Sequence, residues 1–77
     1  MSSIRKRFLF ELVSQFNAAQ SNTDVQDVAS VLGIHLPEAE LVAKELEREG
    51  YIRVVGLGGN IEPTGAGRTL AADVSWE

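Results

Sequence analysis

Lys44 and Arg48 stand four residues apart in a stretch of strong helix formers, Pro37 to Glu49, which puts them one turn apart on the same side of a helix. Two cations so placed can meet phosphate or donate to the acceptor edge of a guanine, and Leu41, one turn before Lys44, can touch a thymine methyl. The other reactive residue types are not arranged for catalysis. His35 is the single histidine and there is no cysteine, so no second ligand can complete a thiolate or imidazole metal site. His35 therefore reads as a turn residue. Ser14, Ser30, Ser75 and the threonines have no placed base, and the carboxylates fall on helix surfaces rather than in a convergent pair. Neither enzymatic activity nor a cofactor is expected.

Val54-Val55-Gly56-Leu57-Gly58-Gly59 has the look of a strand entering a dinucleotide-binding loop. That fingerprint needs a further glycine three residues after Gly58 and then a helix. Position 61 is Ile61, and Pro63 breaks the segment that follows. A hairpin turn accounts for the glycines instead.

The elements that position these residues follow from periodicity and caps. Residues 4–20 predict a first helix, opened by Ser2 or Ser3, with Phe8, Leu9, Leu12, Val13 and Phe16 on one face and Ile4 extending it. Phe10 falls on the outer side. Gln20-Ser21-Asn22-Thr23 reads as a polar linker ending in capping residues, Thr23 with Gln26 forming a capping box or Asp24 serving alone. Asp24 to Leu32 is a second helix that buries Val25, Val28, Ala29 and Leu32. Gly33 follows in the left-handed conformation that ends helices. After the turn Gly33-Ile34-His35-Leu36, the helix from Pro37 to Glu49 turns Ala39, Val42, Ala43 and Leu46 inward, and Gly50 closes it. Tyr51 to Val55 is a strand by its β-branched content, 56–60 a turn, and Ile61-Glu62 a short return strand that Pro63 stops. Thr64 caps a last helix with Leu70, Ala71 and Val74 inward, its first turn weakened by Gly65 and Gly67. The fold class is therefore mostly α with a small antiparallel β-hairpin, as one domain over residues 1–77.

The order is helix, helix, turn, helix, strand, glycine-rich turn, strand, helix. The chain resembles the winged helix-turn-helix family, including its MarR-like small transcription regulators. The resemblance is carried by Val28-Ala29, Leu32-Gly33-Ile34, Leu46-Glu47-Arg48-Glu49-Gly50-Tyr51-Ile52 and Thr64-Gly65-Ala66-Gly67-Arg68. It implies a DNA-binding protein whose third helix enters the major groove of double-stranded DNA through Pro37, Leu41, Lys44 and Arg48. Arg53 and Asn60 of the hairpin would add contacts. It also implies a homodimer that sets two such helices at successive half-sites. Phe10, Leu70, Val74 and Trp76 are the candidate dimer interface, and a core of this size, which supplies only ~3–5 kcal/mol, would gain from it.

Charge opens a second reading. The net charge is −4, and it is uneven. Arg5, Lys6 and Arg7 make the first twenty residues positive. Residues 21–50 carry seven acids against Lys44 and Arg48, a sum of −5. The expected hairpin tip, Leu57-Gly58-Gly59-Asn60, has no charge. Duplex DNA presents one negative charge per ~1.7 Å, so an acidic third helix suits a basic protein partner as an interaction or assembly module. Glu40 with Lys44 and Glu45 with Arg48 are expected to pair along that helix. No apolar run approaches the ~18 residues of a membrane span, so a soluble, cytoplasmic protein with no membrane partner is expected.

Overall fold

The Ser3 hydroxyl accepts from the Lys6 amide at 3.2 Å and opens α1, Ile4–Ala19. This computed structural model describes residues 3–73. Phe8, Leu9 and Leu12 are fully buried along α1, while Val13 and Phe16 lie at the margin of the core. The helix ends one residue before the expected limit. Gln20 takes the left-handed conformation at φ 58° and returns its amide to the Phe16 carbonyl.

The segment expected to be a linker contains a strand. Thr23–Asp24 forms β1, with Thr23 opposite Ile61 and Asp24 opposite Asn60. Thr23 is buried in that ladder, and the Thr23–Gln26 capping box is not formed. Asp24 caps α2, Val25–Leu32, by accepting from the Gln26 amide at 2.9 Å. Gly33 ends α2 at φ 71°, and Ile34 donates back to the Ala29 carbonyl, the bond that closes a Schellman turn. The third helix, α3, runs Leu36–Arg48, one residue earlier than expected at each end. Pro37 sits in its first turn, where a missing amide costs nothing. Ala39, Val42, Ala43 and Leu46 are its buried face, as the periodicity required.

Gly50, at φ 86°, turns the chain into β2, Ile52–Val55, which pairs antiparallel with β3, Asn60–Pro63. The sheet order is β1-β3-β2. Pro63 does not stop the ladder: it lies opposite Ile52 and is buried. Two bonds explain why. Thr64 donates to the Tyr51 carbonyl and Val25 donates to the Gly59 carbonyl. With the antiparallel alternation these set residues 60, 62 and 64 bonding towards β2, and 59 and 61 towards β1. The nitrogen of Pro63 faces the β1 side beyond the end of that short strand, so no ladder bond is lost.

Thr64 caps α4, Gly65–Ala72, and joins it to the rest. Its hydroxyl accepts from the Gly67 amide at 3.0 Å and donates to the Gly50 carbonyl at 2.7 Å. Gly67 is more than a weak helix former. A Cβ there would lie 2.0 Å from the Tyr51 carbonyl oxygen, so the helix passes where no side chain fits. The core gathers α1 against α2, α3, α4 and β3, around Phe8, Leu9, Leu12, Val28, Leu46 and Ile61. Among the described residues, no helix is long and apolar enough to cross a membrane.

Candidate macromolecule-binding face

Because α3 buries only Ala39, Val42, Ala43 and Leu46, the rest of its circumference is open. Pro37, Leu41, Lys44 and Arg48 are all exposed, Leu41 by 64%. Between α3 and the hairpin lies a groove of about 410 Å³. Pro37, Leu41 and Ala43 line it from α3, and Val54, Gly59 and Ile61 line it from the hairpin. Val54 shares a sheet face with Ile52, yet it is 46% exposed because β2 runs past the edge of the core. The polar rim comes from α3 alone: Glu40, Lys44 and Glu47.

The two cations placed together by helical spacing border different hollows. Lys44 lies on the groove, while Arg48 lines a shallow hollow with Arg5, Glu45 and Glu49 on the side of the α1 N-terminus. The pairs expected within α3, Glu40 with Lys44 and Glu45 with Arg48, are not formed. The ion pairs among the described residues are Arg5 with Glu49 and Arg53 with Glu62. The physical reason is the small worth of an exposed pair, ~0.3–0.5 kcal/mol at this spacing, set against the freedom of two long side chains. Arg53 and Glu62 are held opposite each other by the ladder, so their pairing at 2.8 Å restricts little further motion. One consequence bears on DNA contact: the Arg53 charge is already matched by a carboxylate. Asn60 is not at the tip. It opens β3, half-buried, between Val55 and Asp24. The tip belongs to Leu57, which is fully exposed.

Reasoning from sequence found Pro37, Leu41 and Lys44, grouped Arg48 with them although it borders another hollow, and missed Val54 and Leu57. A large aliphatic residue inside a glycine-rich turn was the available signal for Leu57. For Val54 there was none, since it shares the sheet face of buried Ile52 and reads as core.

At the other side of the molecule Phe10 is 62% exposed. It stands between two shallow hollows, one lined with Lys6, Arg7, Glu11 and Leu32, the other with Val13, Ser14, Asn17, Arg68, Ala71 and Ala72. Leu70 packs against the core instead of extending that surface. Val74 and Trp76 lie outside the described residues. The Arg68 guanidinium sits over the Phe16 ring at 5.8 Å, a cation–π contact that covers the edge of the core. No protein-family model matches this sequence, and no curated protein matches it either.

Proposed function

We propose that this chain is a winged helix-turn-helix domain used to dock another protein, through the face formed by α3 and the hairpin. The element order and the sheet order β1-β3-β2, with α2 and α3 joined by a tight turn, support the fold assignment. The observation that carries the docking reading is the groove itself. Its walls are aliphatic, its rim holds two carboxylates against one ammonium, and the hairpin tip beyond it ends in exposed Leu57. A concave, mostly aliphatic groove with a few polar groups on its rim is the usual form of a binding site. Duplex DNA could offer a thymine methyl to Leu41, but it would leave the rest of that apolar surface without a partner and would meet Glu40 and Glu47 with like charge.

The second reading is a small DNA-binding transcription regulator, and one observation favours it. Lys44 and Arg48 are both exposed and neither is in an ion pair, so both charges are available to phosphate. A salt series of binding to random duplex DNA separates the two. The docking reading expects no binding tighter than ~10⁻⁴ M at physiological salt, the weak end of nonspecific affinity. The regulator reading expects binding whose logarithm falls with log salt, by about 0.9 for each phosphate contact, and a Lys44→Ala, Arg48→Ala variant with a slope flatter by up to ~1.8. Steep, variant-sensitive binding decides for DNA.

A further inference from the structure

The groove has a pattern of charge as well as an apolar floor. Glu40 and Glu47 lie seven residues apart on α3, which places them ~10 Å apart along the helix, with Lys44 between. The hairpin wall adds no charge, and neither carboxylate is in an ion pair among the described residues. Both are therefore free to meet cations from outside. Leu41 and Val54 face the same opening from opposite sides and remain in water unless an apolar group covers them.

We infer that the groove binds a short protein segment that presents large aliphatic side chains between two Lys or Arg residues ~10 Å apart. The inference rests on the docking reading and adds the chemistry of the partner. The aliphatic groups bury against Leu41 and Val54, which supplies affinity. The two cations meet Glu40 and Glu47, which fixes register and speeds encounter. A segment with one central cation is disfavoured, because Lys44 stands at the middle of the rim. An amphipathic helix with cations seven residues apart meets the spacing and keeps both cations on one face.

The test uses the full chain and two synthetic amphipathic peptides. One carries leucines between lysines seven residues apart, and its twin has glutamates in place of those lysines. Amide chemical shifts are followed during titration. The lysine peptide is expected to shift Leu41, Val54 and Gly59 and to bind more tightly than the glutamate peptide. Glu40→Lys with Glu47→Lys should weaken the lysine peptide about tenfold, since two modest attractions become repulsions, and should let the glutamate peptide bind instead. Both positions are on the exposed side of α3, so an unchanged melting curve shows that the variant is folded. Equal binding of the two peptides, or an absence of shifts from either, overturns the inference and leaves the docking reading standing. Shifts of the same amides by a random duplex overturn both. Shifts at these amides that vanish on dilution without peptide, and are lost in Phe10→Glu, make a second copy the occupant and also overturn the inference.

Discussion

The two ends of the β2–β3 hairpin are built to opposite specifications. At its base, Ile52 and Pro63 face each other in the core, the Thr64 hydroxyl bridges Gly50 and Gly67, and α4 passes against the Tyr51 carbonyl. At its tip, Val54 and Leu57 stand in solvent beside an open groove, and the Val25–Gly59 backbone bond and β1 anchor the turn to α2. At the base, α4 passes so close that a Cβ on Gly67 would have no room beside the Tyr51 carbonyl. The tip has spare surface, and its residues contribute little to folding. Stability and binding are thus assigned to different ends of one element, and substitutions should separate them.

The largest effect is expected at the base. Gly67→Ala puts a Cβ against a backbone carbonyl that cannot rotate away, and the cost should reach ~3 kcal/mol, the upper part of the range for overpacking. With ~4–8 °C lost per kcal/mol in a domain of this size, the thermal midpoint should fall by more than about 12 °C. A midpoint within a few degrees of the parent would mean that α4 can slide off Tyr51, and the contrast between the two ends would collapse. Thr64→Ala is the intermediate case. It removes a helix cap and the bond to Gly50, for ~1–2 kcal/mol in chemical denaturation, while Thr64→Ser should retain most of that. On the α3 wall of the groove that the tip borders, Leu41→Asp should change folding stability by no more than ~0.5 kcal/mol, as expected of an exposed position. The same variant should lose the binding of an apolar peptide followed by amide shifts. If it unfolds the domain instead, the groove is part of the core and not a free surface.

The sequence by itself determined the helices and how they end. The inner faces of α1, α2 and α3 follow from repeats of three and four residues. The ends at Gly33 and Gly50, and the start at Thr64, follow from residues that act on their own neighbours. These are short-range effects, so a linear reading contains them. It also located the α3 side chains of the candidate site, since helical spacing fixes which positions point outward. Only the tertiary structure decided the rest. Thr23–Asp24 is a strand because Ile61 and Asn60, far along the chain, arrive beside it, and two residues have too little pattern to announce that. Pro63 joins the ladder because its nitrogen happens to face an unoccupied edge. Gly67 is required because the Tyr51 carbonyl lies in the path of its missing Cβ, where a linear reading sees only a helix breaker. Arg5 and Arg53 find carboxylates on other elements, while Lys44 and Arg48, placed beside acids by sequence, find none. The groove forms where α3 and the hairpin come side by side, a juxtaposition that no local pattern announces.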